Sequence, residues 1–325
     1  MNYFSRPFLA VGKSSDNPFV SVMIYLQNSD KTIGALIQGM KDQEYQNIEV
    51  LIYNDQTTDR SVGVIGEIVA GDKRFRLFNG SDVQSGWQRK NYSYDKLTQI
   101  AKGQYYIFID SNVIVDNQFV ANAVFHMQQK SLSLMTIYPK SKPNGFYEKV
   151  KTSAKNWLLF SLVSVKSFFK KSSLDDFKFF ENPLIVIDNQ TYLSGKWYEQ
   201  YKDVTNPEIK IATTLRDQGR MGEMILGDNR ITISNSCNKQ VFDVVEGLIK
   251  KRNTRIALAA AVILSPVLII FLMPFPLVFL YLFFVIYGNM LVALICHESI
   301  LLNLLLLPVQ FILLSISLIK AVLKK

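Results

Sequence analysis

The 325-residue sequence predicts an α/β domain followed by a hydrophobic membrane segment. Two observations lead to this prediction. Between residues 19 and 218, short β-rich runs alternate with segments of helical periodicity, which is typical of a mostly parallel sheet covered on both faces. From residue 256 to the end, the only charged side chains are Glu298, Lys320, Lys324 and Lys325, a composition typical of helices that cross a membrane.

The α/β part opens with a strand, a helix and a second strand. The strands are predicted at residues 19–24 and 48–53, and Ile33, Leu36, Ile37 and Met40 place a helix between them. The later runs predict strands at 75–78, 105–109, 132–138 and 184–187, and helices at 92–102, 119–130 and 207–218. Pro207 suits the first turn of the last helix and Gly219 its end.

Three apolar stretches follow, at residues 256–273, 277–296 and 300–319. Each approaches the roughly 20 residues that a helix needs to cross a bilayer, so we predict an anchor of two to three helices. A buried helical hairpin in a globular core is the alternative. The basic run at 250–255 predicts a cytosolic main domain, whereas the terminal lysines conflict with three full crossings, so the number of crossings stays open.

These features divide the chain into an N-terminal extension (1–17), a main domain (18–250) and the anchor (251–325). Residues 156–171 are short, apolar and flanked by lysines, which predicts a helix in the membrane interface; a core helix of the domain is the alternative. The formal net charge of +9 predicts anionic lipid as a partner. Nucleic acid is not expected as a partner, because no zinc spacing, helix-turn-helix or RNA-binding pattern is present.

Polar side chains follow two of the predicted strands. The strand at 48–53 runs into Asn54-Asp55-Gln56-Thr57-Thr58-Asp59, and the strand at 105–109 runs into Asp110-Ser111-Asn112. In parallel sheets, ligands bind beyond the carboxyl ends of the strands, so these two places are where chemistry is expected. Taken alone, the first stretch also suits a plain polar loop in which Asp59 caps the next helix.

Several ordered motifs resemble those of the inverting family 2 glycosyltransferases, which have the Rossmann-like GT-A fold for nucleotide-diphospho-sugars. The resemblance is to the membrane-anchored branch that glycosylates carotenoid-like and hopanoid-type lipids, and it covers roughly residues 18–255. It rests on Val20-Ser21-Val22-Met23-Ile24 with Asn28, Gln43-Glu44-Tyr45 before Glu49-Val50, residues 54–59, Gly86-Trp87-Gln88-Arg89-Lys90, Ala101-Lys102-Gly103 and Asp110-Ser111-Asn112.

The resemblance implies roles on the donor side. Asp55 would accept a hydrogen bond from a base-ring N–H, Lys90 would meet phosphate oxygens, and Trp87 would offer a packing or stacking surface. Asp110 would face the ribose or a metal-bound water, and Asn112 stands where the family coordinates Mg²⁺ or Mn²⁺. Because an amide oxygen carries no charge, metal binding is expected to be weaker than usual, or absent.

The resemblance also implies a general base. The family uses the aspartate of a Glu-Asp pair that opens a helix, and that pair falls on Pro207-Glu208, which makes Glu208 the candidate. A first-turn acid that stabilises the helix dipole is its equal alternative, and a solvated surface lysine is the alternative for Lys90. Family acids are missing at Asn54, Asn112 and Pro207, Arg89 replaces a glycine, and only Gly195 remains of a Gly-Gly-His segment.

Two functions follow as hypotheses. The first is a membrane-bound inverting glycosyltransferase that moves a sugar from a nucleotide-sugar, UDP-linked by expectation, to a lipid-linked or hydrophobic acceptor. It would be a multi-pass protein of the cell (inner) membrane, with its catalytic domain in the cytoplasm. The second is a catalytically degenerate scaffold subunit, suggested by the missing acids. A processive synthase is disfavoured because its Gln-x-x-Arg-Trp signature is absent from the sequence.

Overall fold

The computed structural model describes residues 8–14, 16–162, 184–234 and 274–323, with a few isolated positions between 253 and 271. Residues 163–171, most of the basic run at 250–255 and most of the first apolar stretch therefore lie outside the described residues. The ten strands described are β1 (Val20–Leu26), β2 (Ile48–Asn54), β3 (Phe75–Asn79), β4 (Tyr105–Asp110), β5 (Val113–Val115), β6 (Leu134–Tyr138), β7 (Lys140–Lys142), β8 (Leu184–Asp188), β9 (Gly222–Leu226) and β10 (Ile231–Ser234).

The helices of the described residues alternate with these strands. They are α1 (Ile33–Lys41), α2 (Ser61–Val69), α3 (Arg89–Thr98), α4 (Phe119–Gln129), α5 (Phe146–Leu162), α6 (Asn189–Gly195), α7 (Trp197–Gln200), α8 (Pro207–Asp217), α9 (Phe275–Ile295) and α10 (Ile300–Leu323). Every predicted strand and helix of the α/β part is present, with ends that differ by a few residues. Pro207 opens α8, and Gly219, with φ of +72°, follows its end.

Seven strands form the main sheet in the order β3-β2-β1-β4-β8-β6-β9. Only β8 runs antiparallel to its neighbours, β4 and β6, so the predicted mostly parallel sheet is confirmed. β1 lies between β2 and β4, and nearly all of its side chains are buried, as expected for a central parallel strand. The carboxyl ends of β1, β2 and β4 consequently meet at one edge of the sheet.

Both faces of the sheet are covered by apolar side chains. One cluster contains side chains of α1 and α4, including Leu36, Ile37 and Phe119. The opposite cluster contains side chains of α3, α7 and α8, and it also includes Leu314 and Leu318 of α10. The C-terminal helix therefore packs against the same core as the helices beside the cleft described below.

A small second sheet was not predicted from the sequence. β10 pairs antiparallel with β5 and parallel with β7. Each of these strands has only three or four residues, too few to show alternation in the sequence. The pairing brings Ser234 to the loop after β4, where its backbone N–H donates to the carbonyl of Asn112 at 2.9 Å.

The motifs at the amino end of the sheet have structural roles. Ser21 Oγ donates to buried Glu49 at 2.6 Å, and the Lys102 N–H donates to the same carboxylate at 2.8 Å. A Cβ at Gly103 would lie 2.4 Å from the backbone nitrogen of Ser21, so only glycine fits where β4 begins. The Ala101-Lys102-Gly103 motif thus closes the edge opposite the cleft.

Residues 8–14, within the predicted extension, lie against the domain. Phe8 forms a bridge with Leu226, and the Ala10 N–H donates to Nδ1 of buried His126 at 2.9 Å. Nε2 of His126 lies 2.9 Å from Glu223 Oε2. The side chains of α4 and β9 therefore hold this stretch in place.

The second and third apolar stretches form α9 and α10. Both helices are long and apolar enough to cross a membrane, by length and composition, over Phe275–Ile295 and Ile300–Lys320. Large apolar side chains are exposed along both, among them Phe275, Phe284, Leu301 and Leu305. The structure thus agrees with a membrane role for two of the three stretches.

Part of the predicted interfacial helix lies within the described residues. Residues 156–162 form the last turns of α5, which begins ten residues earlier at Phe146. Leu158 and Leu159 are buried, and Asn156 Nδ2 donates to Glu298 Oε1 at 2.8 Å. Because α5 packs against α9 and α10, the interfacial position stays a prediction.

Candidate active site

A cleft of about 580 Å³ opens at the carboxyl ends of β1 and β4. Its walls come from the loop after β1, the loop after β4, the start of α3 and the residues before α8. The residues that line it are Tyr25, Asn28, Ser29, Asp30, Lys31, Thr32, Lys90, Asp110, Ser111, Asn112, Thr205 and Asn206. The edge at which chemistry was expected therefore carries a cleft of ligand size.

One ammonium of this cleft contacts two carboxylates, of which Asp110 lines the cleft and Glu208 lies behind it, outside the described lining residues. Lys90 Nζ lies 2.8 Å from Asp110 Oδ1 and 3.0 Å from Asp110 Oδ2. The same nitrogen lies 3.4 Å from Glu208 Oε1. The side chain of Lys90 is 24% exposed and that of Glu208 only 4% exposed. Three of the residues predicted for the site are thus in direct contact, although they come from α3, β4 and α8.

Burial and charge act in opposite directions on these groups. Burial raises the pKa of Glu208 above its ordinary value, the negative charge of Asp110 adds to the rise, and Lys90 opposes it. Burial alone would lower the pKa of Lys90, but the two carboxylates outweigh burial and raise it. Lys90 therefore stays a cation, and Glu208 is a stronger base than an exposed glutamate.

Asn91 holds the segment before α8 against the start of α3. Its Nδ2 lies 2.8 Å from the carbonyl of Val204, 3.0 Å from that of Tyr201 and 3.2 Å from that of Lys202. Asn91 is fully buried. Because Asn91 follows Lys90 directly, these contacts set the position of α8, and hence of Glu208, relative to Lys90.

Aromatic side chains pack below the charged group. Tyr94 Oη lies 3.1 Å from Asp110 Oδ1, and its ring lies 5.0 Å from that of buried Tyr198. Burial raises the pKa of both tyrosines, and the nearby carboxylates raise it further, so both hydroxyls stay protonated. The hydroxyl of Tyr198 is buried without a hydrogen-bond partner. An apolar floor of this kind strengthens the charge interactions above it.

Asp55 is held by two neighbours of its own. Tyr25 Oη donates to Asp55 Oδ2 at 2.8 Å, and Arg89 Nη1 lies 2.7 Å from Asp55 Oδ1. The Asp55 side chain is fully buried, whereas that of Arg89 is 49% exposed. Arg89, which replaces the usual glycine, thus pairs with the carboxylate of Asp55 that is predicted to bind the nucleobase.

The other residues of the polar loop are structural. Asn54 Oδ1 accepts from the Thr57 N–H at 3.1 Å, and its amide donates to Asn79 at 3.0 Å. Asp59 accepts from the Ser61 N–H at 2.9 Å just before α2. The N-cap of α2 is Arg60 and no side chain caps it, so the predicted cap by Asp59 is wrong. Burial would raise the pKa of Asp59, but the hydrogen bonds from Ser61 lower it.

Trp87 lies beside the site and not in it. Its ring packs edge-on against Tyr92 at 5.5 Å, and it does not appear among the described residues that line the cleft. The contact with Tyr92 corresponds to the packing role, one of the two roles predicted for Trp87. Stacking on a ligand stays a prediction for Trp87.

Comparison with known proteins identifies the family. The sequence model of glycosyl transferase family 2 matches residues 21–193, which is more than half of the chain. The chain belongs to glycosyl transferase family 2. The match includes β1, β2, β4 and the whole donor side of the cleft, and it ends before Glu208.

Relatives in this family match over about a third of the chain. An uncharacterised glycosyltransferase of Haemophilus influenzae is 30% identical over 115 residues, which are 35% of this chain and 44% of that protein. The UDP-Glc:alpha-D-GlcNAc-diphosphoundecaprenol beta-1,3-glucosyltransferase WfaP of Escherichia coli is 27% identical over 113 residues, 35% of this chain and 43% of that protein. The chain thus spans less than half the length of these two relatives.

A solved structure supports the GT-A fold of this family member over nearly its full length. The mannosyltransferase PcManGT of Pyrobaculum calidifontis, in complex with GDP-Man and Mn²⁺, matches with a TM-score of 0.50 and 14% identity. The match covers 99% of this chain and 91% of that one. At this identity the likeness concerns the fold alone.

The metal position of this family 2 chain has a weak set of ligands. Both oxygens of Asp110 contact Lys90, and Asn112 offers a neutral amide whose buried Oδ1 has no hydrogen-bond partner among the described residues. Across the described part of the chain, no group of three His, Cys, Asp or Glu side chains is arranged to hold a metal ion. These residues do not fit a preformed Mg²⁺ or Mn²⁺ centre, and the weak or absent binding expected from Asn112 stays a prediction.

Sequence reasoning missed three residues that shape the site. The roles of Tyr25, Arg89 and Asn91 depend on contacts with distant segments. Arg89 carried a signal, since it departs from the glycine of the family motif. Asn91 and Tyr25 carried none, because a buried asparagine and a strand tyrosine are unremarkable in sequence.

Proposed function

We propose that this protein is a membrane-bound inverting glycosyltransferase that moves a sugar from a nucleotide-sugar to a lipid-linked or hydrophobic acceptor. The observation that carries the proposal is the contact of Lys90 with both Asp110 and Glu208 at the edge of the cleft. It supports a site in which Lys90 would bind phosphate next to Glu208 as the general base. Family membership and the fold support the same reaction.

In the proposed reaction, Glu208 takes the proton of the acceptor hydroxyl as that oxygen attacks the anomeric carbon. The new glycosidic bond forms while the bond from the anomeric carbon to the phosphate oxygen breaks, through an oxocarbenium-like transition state. The nucleoside diphosphate leaves with the bonding electron pair. Attack opposite the leaving group inverts the anomeric configuration, so a single base is sufficient.

On the donor side, Lys90 would contact the diphosphate and Asp110 the ribose. Asp55 would accept a hydrogen bond from the nucleobase. This contact requires Arg89 to turn away or to share the Asp55 carboxylate with the nucleobase. A UDP-sugar is the proposed donor, supported by the name of the E. coli relative. Any divalent ion would use Asp110 and Asn112 and would add to a positive charge that Lys90 already supplies.

On the acceptor side, the apolar helices would bring the cleft to a bilayer. The two helices long enough to cross a membrane support this arrangement, and the E. coli relative is named for a diphosphoundecaprenol acceptor. The basic run at 250–255 favours a cytoplasmic domain at the cell membrane. A carotenoid- or hopanoid-type acceptor, as in the branch that the motifs resemble, is one form of this proposal.

The test is sugar transfer by the full chain in detergent or vesicles, with labelled nucleotide-sugars and a lipid extract. Glu208→Gln is expected to reduce turnover by about 100-fold or more, because it removes the proton acceptor. Asp110→Ala should also reduce transfer, and Glu199→Gln, at an exposed carboxylate that lines no part of the cleft, should not. Full activity of Glu208→Gln and Asp110→Ala would overturn the assignment.

A second candidate is a scaffold subunit without catalysis. The ion pair of Arg89 with buried Asp55 favours the scaffold, since that pair fills the place expected for the nucleobase. Calorimetry separates the two candidates. Absence of UDP or GDP binding, with and without Mn²⁺, would support the scaffold and contradict the enzyme.

A further inference from the structure

Lys90 is the cation fixed most firmly in the cleft. Among the described residues that line it, the basic side chains are Lys31 and Lys90. Lys31 is exposed at the rim, whereas Lys90 is held by two carboxylates. Arg89, the neighbouring cation, is paired with Asp55. The cleft therefore offers a diphosphate one positioned ammonium as a hydrogen-bond donor, with its charge shared by Asp110 and Glu208.

The ammonium of Lys90 lies where a metal ion would have to bind. It contacts both oxygens of Asp110, the first residue of the Asp110-Ser111-Asn112 stretch. A divalent ion at this carboxylate would have to displace the ammonium or share the oxygens with it. Lys90 is part of α3, so its positive charge is present without a metal ion bound from solution.

The neutral side chain at position 112 matches this arrangement. Asp110 and Glu208 carry two negative charges, and Lys90 offsets one of them. A second aspartate at 112 would add a third negative charge that one ammonium could not balance, and it would favour a divalent ion. With Asn112, that third negative charge is absent, so the cleft attracts a divalent ion less strongly.

We infer that Lys90 is a built-in counter-cation, and that this protein binds a nucleoside diphosphate, and its sugar-linked form, without a divalent metal ion. The inference rests on the proposed function, because it concerns the donor of that reaction. When the bond between the anomeric carbon and the phosphate oxygen breaks, the electron pair stays on the departing diphosphate. Lys90 then stabilises the added charge by hydrogen bonding, with no further proton transfer.

The experiment measures UDP and GDP binding to the full chain by calorimetry, in EDTA and in Mn²⁺. We expect the tighter of the two nucleotides to bind in EDTA, with a Kd that Mn²⁺ changes by less than about threefold, because Lys90 already neutralises Asp110. Lys90→Met should weaken binding in EDTA by about 10- to 100-fold, the value of a charge-assisted hydrogen bond. Lys90→Arg, which keeps the charge, should retain most of the affinity.

Two further variants sharpen the test. Lys96→Met removes one cation from the same helix, at a side chain that lies over Tyr92 and outside the cleft, and should leave binding unchanged. Asn112→Asp should make binding depend on Mn²⁺, with an increase in affinity of about 10-fold or more on adding the ion. A thermal unfolding curve for each variant checks that it is folded.

The outcomes are distinct. Binding in Mn²⁺ but not in EDTA by the unaltered chain would overturn the inference and leave the proposed function intact. Equal losses for Lys90→Met and Lys96→Met would also overturn it, because the effect would then follow net charge and not the cleft. Absence of binding in both conditions would contradict the proposed function itself.

Discussion

Glu208 lies in the first turn of α8, where an exposed carboxylate would stabilise the helix dipole. Here the carboxylate is buried and lies 3.4 Å from Lys90. Asp110 contacts the same ammonium, so Lys90 is shared between two carboxylates. The local sequence shows only a helix start, and the neighbours supplied by α3 and β4 make it a candidate base.

The pH dependence of transfer should report this environment. Burial raises the pKa of Glu208 above its ordinary value of 4.5, and protonated Glu208 cannot accept a proton. The rate should therefore fall as the pH decreases through the raised pKa, with the half-point above 4.5. Lys90 lowers this pKa, so Lys90→Met should move the half-point to higher pH, and Lys90→Arg should not.

The measurement is kcat against pH at saturating donor for the three proteins. An acidic limb at the same pH in Lys90→Met and in the unaltered chain would contradict the role of Lys90 beside Glu208. The residual activity of Glu208→Gln should show no acidic limb.

At the scale of elements, α3 and the segment before α8 behave as one unit. The Gln88 N–H donates to the carbonyl of Lys202 at 2.7 Å, and Asn91 reaches three carbonyls of the same segment. This pairing joins the part of the chain matched by the family to the part that carries Glu208. Asn91 is thus a positioning residue.

Asn91→Ala should separate the two elements. The substitution removes the Asn91 donor from three carbonyls, of which that of Lys202 keeps the Gln88 N–H and that of Tyr201 keeps the Val204 N–H. Because the loss falls mainly on the Val204 carbonyl, we expect a decrease of about 1–3 kcal/mol in the free energy of unfolding. kcat should fall while nucleotide affinity changes less, because Glu208 is displaced from Lys90. Gln99→Ala, at an exposed amide on the same helix, is the control and should alter stability by less than about 0.5 kcal/mol. Equal kinetic effects in both variants would contradict a positioning role.

Helices α5, α9 and α10 share a buried polar network. Gln310 donates to Ser153 at 2.8 Å and accepts from Asn289 at 3.0 Å. Asn303 donates to Glu298 at 2.7 Å. Each of these side chains except Glu298 is almost fully buried, so the contacts fix the pairing of the apolar helices with the domain.

Asn303→Leu should destabilise this junction. It removes one of the two partners of Glu298 named above and one partner of Gln310, and the expected loss is about 1–3 kcal/mol, measured by thermal unfolding in detergent. Leu305→Ala, at a side chain that is 69% exposed on the same helix, should have a much smaller effect. A larger effect of Leu305→Ala would indicate that apolar contacts of the outer face hold the helix.

At the scale of the whole molecule, the apolar helices and the helices beside the cleft share one core. Leu314 and Leu318 belong to the same cluster as Tyr94 and Tyr198. The outer surfaces of α9 and α10 are rich in exposed phenylalanine and leucine, as expected of a surface that faces lipid. This arrangement supports the proposal that the acceptor comes from a membrane.

A charge on the outer surface should weaken membrane attachment. Phe284 is 61% exposed near the middle of α9, and Phe284→Arg should cost about 2.5–3.5 kcal/mol on insertion. We expect more protein in the soluble fraction after carbonate extraction. Val11→Arg, at a side chain that is 67% exposed in the N-terminal extension, should not change the distribution. Complete retention of Phe284→Arg in the membrane would argue against lipid contact at this position.

The sequence by itself determined the α/β domain, the two apolar helices described and the positions of the polar residues after β2 and β4. These features depend on periodicity and composition, which are local properties of the chain. The motifs around residues 55, 90, 110 and 208 nominated a donor site and a base through their resemblance to family 2 glycosyltransferases.

Only the tertiary structure decided how those residues are used. It paired Arg89 with Asp55, joined Lys90 to Glu208, buried Leu158 and Leu159 and assembled the small sheet. Each of these features is a contact between segments far apart in the chain, and side-chain burial depends on what packs against it. A single sequence predicts which groups are present, whereas the fold determines which charge each of them meets.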